Sequence, residues 1–265
     1  MRPSGHGSRR TAHCPASKGR PPVRALTSDV WYTLLYLNIP DQLRLDRARV
    51  RVWSAPLRRA GQTRREATAN VRWVEGWAAD AEAHGHTPTI AAQASELTHR
   101  SGVPVEADTI TEGLDGLIDE FPIRVAPGAP AALARLGDAG IRLGVVSNLL
   151  HETGAGLRRL LASRGLLDSF SSLVLSSEHP WSKPRPEPFR TAVRELGCRP
   201  AESAHVGDLR YDVLGARRAG LTPLLYTGLH RHEPARLREL VGVNGPNLER
   251  VRRWADVPGF ILGTR

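Results

Sequence analysis

The amino-acid sequence predicts an α/β fold, a doubly wound parallel sheet with an all-helical block inserted into it. Three observations predict it. From Pro127-Gly128 onward, short apolar stretches alternate with stretches of helical period, as expected of strands joined by crossover helices. Residues 38–124 show helical spacing and no period-2 alternation. A short apolar stretch, 23–28, precedes that block and runs directly into Asp29.

Taken in order, 23–28 reads as the first strand. The insert then carries four helical patterns. In 43–60, Leu45, Ala48, Val52 and Trp53 fall on one side, and Pro56 is expected to end or kink the helix because proline lacks the N–H its ladder needs. In 67–84, Val71, Val74 and Ala78 share a face, with Trp73 and Trp77 beside it. Stretches 89–100 and 106–119 read as two more helices. Past the insert, helices are expected at 129–139, 157–164, 186–196 and 212–219, the first, third and fourth closed by Gly140, Gly197 and Gly220. Strands are expected at 142–146, 172–175, 204–206 and 223–226. The stretch 230–265 is polar and Arg-rich and shows no assignable pattern. The expected division is a disordered basic tail at 1–22, a core at 23–37 and 125–229, a helical insert at 38–124 and an unassigned extension at 230–265.

Composition narrows the classes. No apolar run approaches the roughly 20 residues needed to span a bilayer. Arg2, Arg9 and Arg10 are followed by no apolar signal core, so a cytoplasmic location is the expectation. Cys14 and Cys198 make neither a disulfide framework nor a zinc site. The net charge of +10 suggests nucleic acid, but residues 1–24 hold six cations and no acid, so +10 less +6 leaves +4 for the rest. No basic stripe with interleaved aromatics follows, and a nucleic-acid partner is not expected. Lys18 and Lys183 are the only lysines, against 35 arginines. A coding bias toward arginine is the bland cause, and Lys183 is still expected to mark a position that calls for a compact ammonium rather than a broad guanidinium.

In open α/β sheets, ligands bind beyond the carboxyl ends of the strands. Three expected strands end there in polar residues: at Asp29, at Ser147-Asn148 and at Asp208. Each alone is an ordinary cap or turn residue, and Lys183 alone an ordinary surface charge. Their order and spacing carry the argument. Asp29-Val30-Trp31-Tyr32-Thr33-Leu34-Leu35, then Ser147, then Lys183-Pro184-Arg185-Pro186-Glu187-Pro188-Phe189, then the run from Val206-Gly207-Asp208 through Asp212 to Gly220 resemble the four motifs of the haloacid dehalogenase-like hydrolase superfamily. The resemblance covers roughly 23–227. It implies a Rossmann-like core with a helical cap inserted after the first motif. It also implies phosphatase-type hydrolysis of a small phosphorylated metabolite through an aspartyl-phosphate on Asp29, with magnesium as cofactor. Lys183 would neutralise charge on Asp29 and the phosphoryl group. Thr33, Ser147 and Asn148 would bind the substrate. Asp29, Asp208, Asp212 and the backbone carbonyl of Trp31 would form the metal site. Asp212 would hold a metal-bound water or orient Lys183.

The chain departs from the pattern at Trp31, where phosphatases of the superfamily carry an aspartate that acts as acid and base. Indole exchanges no proton near neutral pH. Three readings stay open: the leaving group needs no acid, another residue supplies it, or catalysis is lost and a binding or regulatory protein remains. His84, His86 and His99 are the insert's histidines, each expected on the surface. Dehalogenases of the superfamily also place an aromatic residue at this position, which makes a 2-haloacid dehalogenase the main competing enzyme. Its fourth motif resembles Ser-x-Asn more than Gly207-Asp208, so phosphoryl chemistry is favoured. Phosphonate-cleaving members use a cap lysine, and the insert has none.

Overall fold

The structure, a computed structural model, describes residues 22–232 and 248–264. The expected basic tail lies almost wholly outside the described residues. In chain order come β1 (Ala25–Ser28), β2 (Leu35–Tyr36), α1 (Ile39–Arg59), α2 (Arg64–Ala83), α3 (Ile90–Ser101), α4 (Ala107–Glu120) and β3 (Arg124–Val125). Next are α5 (Ala129–Asp138), β4 (Arg142–Ser147), α6 (Gly154–Ser163), β5 (Ser172–Leu175), α7 (Glu187–Glu195) and β6 (Ser203–Gly207). The chain continues with α8 (Arg210–Ala219), β7 (Thr222–Tyr226), β8 (Glu249–Val251) and α9 (Val257–Ile261).

The six parallel strands lie in the order β5-β4-β1-β6-β7-β8, so the winding reverses at β1. Both faces of the sheet are covered, and β4 shows why. Alternate side chains of a strand point to opposite faces. Leu143 and Val145 join Leu133 and Leu136 of α5 on one side, while Val146 joins Phe189 and Ala192 of α7 on the other. Burying each such side chain contributes about 1.5–3 kcal/mol. A β-carbon on Gly215 of α8 would lie 2.2 Å from the Phe189 ring, so glycine lets α8 approach α7 closely.

The four-helix block continues the first of these clusters through Leu45, Trp53, Val71, Leu97, Ile110 and Leu114. Its helices start where side-chain caps allow. The Asn38 and Thr89 side chains accept from the N–H groups of Asp41 and Ala92, and Thr63 and Glu66 form a reciprocal capping box. Pro56 does not end α1, which runs on to Arg59. Sitting in the last turn, the proline costs the helix one N–H, while its own carbonyl still accepts from Ala60. The antiparallel pair of β2 and β3 closes the neck between the helical block and the sheet, and no two-residue strand shows in a sequence period. The unassigned C-terminal stretch supplies the edge strand β8 and the fully buried Trp254. Among the described residues, no helix is long and apolar enough to cross a membrane.

Candidate active site at the carboxyl edge of the sheet

Strands β1, β4 and β6 are neighbours, so their carboxyl ends bring Asp29, Ser147 and Asp208 together at the point where the winding reverses. The Asp29 N–H donates to the Val206 carbonyl at 2.9 Å, which fixes the start of its loop against β6. Lys183 Nζ lies 2.6 Å from Asp29 Oδ1 and 2.6 Å from Asp212 Oδ1. Ser147 Oγ donates to Asp29 Oδ1 at 3.3 Å, and Thr33 Oγ1 to Asp208 Oδ1 at 3.5 Å. Asn148 holds the Lys183 main chain at two points, donating to its carbonyl at 3.0 Å and accepting from its N–H at 2.9 Å. The seven residues singled out by the sequence thus converge, all but Asn148 of them buried, with Trp31 beside them.

The local sequence explains the placement. Asp212 sits in the first turn of α8, where its Oδ2 accepts from the Leu209 N–H at 2.8 Å and its Oδ1 faces Lys183. A β-carbon on Gly207 would lie 2.2 Å from Asp212 Cγ, so only glycine leaves room for that carboxylate. Two further supports were not foreseen. His205 in β6 places Nε2 3.2 Å from Asp212 Oδ1 and Nδ1 2.9 Å from Thr27 Oγ1, and a polar ring in an apolar strand was the available signal. Trp254, far along the chain, donates Nε1–H to the Thr33 carbonyl at 2.7 Å and ties down the loop that follows Asp29.

Electrostatics bind the group. Burial alone would depress the Lys183 pKa, but the Asp212 and Asp29 carboxylates more than reverse this and hold it above its ordinary value. Burial would raise Asp212, yet Lys183 and the His205 contact hold it well below the usual carboxylate range. Burial lowers His205, so the imidazole is neutral and donates through Nε2.

Asp29, Asp208 and Asp212 each offer a carboxylate oxygen within 4.8 Å of the others. Three buried carboxylates gather around Lys183, with His205 Nε2 3.2 Å from Asp212 and His230 Nε2 4.0 Å from Asp208, an acidic set that a further cation would stabilise. A hard divalent ion that takes a few carboxylates and completes its shell with water fits this donor set.

Above the cluster lies a cavity of about 190 Å³. Asp29, Trp31, Asn148 and Lys183 line it, whereas Thr33, Ser147, Asp208 and Asp212 are not among its lining residues. Sequence reasoning missed Gln42, Arg49 and Glu82 from the helical block, and Leu150, His151, Glu152 and Tyr211 from the sheet side. Arg49 reaches across to Glu152 at 2.5 Å. Burial, with Arg49 adding to it, drives His151 down to about 3. None of Trp53, Trp73 and Trp77 lines the cavity: Trp53 is core and Trp73 is exposed under Arg100. His84, His86 and His99 are exposed, as expected.

Comparison with known proteins agrees with this arrangement. Over 152 residues the chain is 34% identical to a phosphoglycolate phosphatase of Cereibacter sphaeroides, covering 57% of this chain and 62% of that protein. Over 105 residues it is 35% identical to a glyceraldehyde 3-phosphate phosphatase of Methanothermobacter thermautotrophicus, covering 39% of this chain and 45% of that one. The matches thus span roughly half of these relatives' length. A phosphatase structure from Thermococcus onnurineus shares the fold with a TM-score of 0.61 at 21% identity, over 91% of this chain and 98% of that one. A structure of CbbY from Rhodobacter sphaeroides in complex with phosphate gives 0.59 at 20%, over 91% and 99%. The sequence profile of the haloacid dehalogenase-like hydrolases matches residues 27–220, and the chain belongs to that family.

Proposed function

We propose that the chain is a magnesium-dependent phosphatase-type hydrolase that acts on a small phosphorylated metabolite through an aspartyl-phosphate on Asp29. One observation carries the reading: a buried carboxylate at a cavity wall is held by an ammonium at 2.6 Å inside a cluster of three buried carboxylates. Such a site accepts a cation together with a phosphoryl dianion.

Lys183 and Ser147 both engage Asp29 Oδ1, so Oδ2 is the attacking atom in this reading. It bonds to phosphorus as the leaving-group oxygen departs, and water then cleaves the acyl phosphate, splitting one hard step into two. Lys183 balances charge on Asp29 and the transferring group, and Asp212 holds that ammonium in place. Ser147 turns from Asp29 to a phosphoryl oxygen, Thr33 keeps Asp208 in place, and Asn148 fixes the lysine loop at the cavity wall. Magnesium, held by Asp29, Asp208 and the Trp31 carbonyl with Asp212 completing the acidic set, would neutralise charge on the phosphoryl group. In this reading 38–124 forms the cap and 23–37 with 125–229 the core. The relatives named for phosphoglycolate and glyceraldehyde 3-phosphate point to two- and three-carbon phosphate esters as the substrate class.

The test is a panel of such esters and 2-haloacids, assayed with magnesium and with a chelator. Ester hydrolysis that stops in chelator and returns with magnesium is expected. Halide release that survives chelation overturns the reading. The dehalogenase alternative is disfavoured by Asp208, a third carboxylate within reach of Asp29 and Asp212 that displacement of halide from carbon does not call for.

A further inference from the structure

Trp31 leaves the leaving-group oxygen without the family's usual proton donor, and the cavity wall holds other ionisable groups. Asp29 and Lys183 are engaged with each other. His151 is driven to about 3 by burial and Arg49, so it is not an imidazolium near neutral pH and is no acid. Glu152 is tied to Arg49 at 2.5 Å. Among the carboxyl and imidazole groups of the wall, Glu82, in the last turn of α2, remains. It is partly buried, lines the same cavity as Asp29, Trp31 and Lys183, and accepts from Thr87 Oγ1 at 3.4 Å. Asn148, whose amide fixes the Lys183 main chain, lines the same wall.

We propose that Glu82 is the proton donor and acceptor of the reaction, supplied by the cap in place of the residue that Trp31 displaces. The inference rests on the phosphatase reading above. In the first half-reaction Asp29 Oδ2 bonds to phosphorus, the bond to the leaving oxygen breaks, and that oxygen takes the Glu82 proton. In the second, Glu82 carboxylate takes a proton from water, the water oxygen bonds to phosphorus, and the bond to Asp29 breaks. The products are alcohol and inorganic phosphate, with Asp29 ionised and Glu82 protonated again.

The charges facing Glu82 suit both roles. Burial raises its pKa from its ordinary value, and repulsion from Glu152 adds to this. Hydrogen bonds from Asn148 and Thr87 and the Lys183 ammonium pull the other way without reversing it. A carboxyl brought toward the working pH is an efficient acid and base.

The test compares Glu82→Gln with wild type on p-nitrophenyl phosphate and on a series of alkyl phosphates that includes 2-phosphoglycolate and ethyl phosphate. A stabilised aryl oxide needs no proton to leave, whereas an alkoxide does. We expect kcat/KM to fall by about 10²–10⁴ on alkyl esters and by less than about tenfold on the aryl ester. On the aryl ester the variant should show a burst of one equivalent of p-nitrophenol, because phosphorylation proceeds while water attack is slowed. Glu82→Asp should recover part of the alkyl activity. Equal losses on both ester types would mark a structural role through Asn148, and no loss on either would leave Glu82 idle; both overturn the proposal while the phosphatase reading stands. A wild type inert toward every ester removes the phosphatase reading and this proposal with it.

Discussion

Gly207→Ala should disable the site without touching a functional group. The new β-carbon would meet Asp212 Cγ at 2.2 Å, more than about 1 Å inside a comfortable carbon–carbon contact. Asp212 has nowhere to retreat, being buried with Oδ1 on Lys183 at 2.6 Å and Oδ2 on Leu209 N–H at 2.8 Å. Relief moves the carboxylate and weakens both bonds. Hydrogen bonds to charged groups contribute about 1.5–3 kcal/mol each, and overpacking costs about 1–3 kcal/mol. Because these overlap, a destabilisation of about 3 kcal/mol is expected in urea unfolding at pH 7. Lys183 loses its second anchor, and misplacement by about 1 Å lowers turnover on the order of 10²-fold. The pH dependence supplies a sign. The folded-state pKa of Asp212 lies below its unfolded value, so its contribution is present above the unfolded carboxylate range and is lost as pH falls through the folded value. The gap between wild type and variant should therefore be widest near neutrality and narrow below about pH 4. Gly76→Ala is the control: it lies exposed within α2 with nothing near a new β-carbon, and should stabilise by about 0.5–1 kcal/mol. A Gly207→Ala protein with wild-type stability and turnover, or a gap that widens in acid, would refute the reasoning.

Asp29→Asn should keep the fold and abolish turnover, since the amide has nearly the same shape and is a poor nucleophile; ester hydrolysis near the wild-type rate in a folded variant would remove Asp29 as nucleophile. Lys183→Arg should lose most activity although arginine is the chain's usual cation, because the guanidinium cannot place one donor between Asp29 and Asp212. Unchanged kinetics in that variant would show that only the charge at this position matters.

Legibility followed the reach of each signal. The expected strand at 172–175 is β5 as found, because its apolar stretch is bounded by polar turns. The helix expected at 157–164 begins three residues earlier, at Gly154. Its apolar period starts only at Leu157, whereas the helix starts at the Thr153 side chain, which accepts from the Gly156 N–H at 2.8 Å. Strand β8 contributes only Glu249, Arg250 and Val251 to an edge, too short and too polar for any period. In the site, Asp29, Ser147 and Asp208 were legible because they end strands and bear reactive groups in a fixed order. Glu82, Arg49 and Glu152 were not. They meet only when the helical block lies over the sheet, and on a helix each reads as an ordinary solvated charge.

The lone lysine of the described chain follows from how the site presents its acceptors. Where arginines pair at the surface, both nitrogens of the fork face the two oxygens of one carboxylate, as in Arg199 with Glu202 and Arg253 with Asp256. Such pairs need an open edge and leave the remaining donors to water. Between Asp29 and Asp212 the geometry differs. Each residue offers one oxygen, the two converge on a single point 2.6 Å from both, and Lys183 is only 4% exposed. An ammonium has three donors and fills that point with two of them, leaving one spare. A guanidinium has five donors in a plane and would bury several without acceptors, each costing about 1–3 kcal/mol. Among the described residues, where every other Lys/Arg cation is arginine, lysine is thus kept where the acceptors converge and water is excluded.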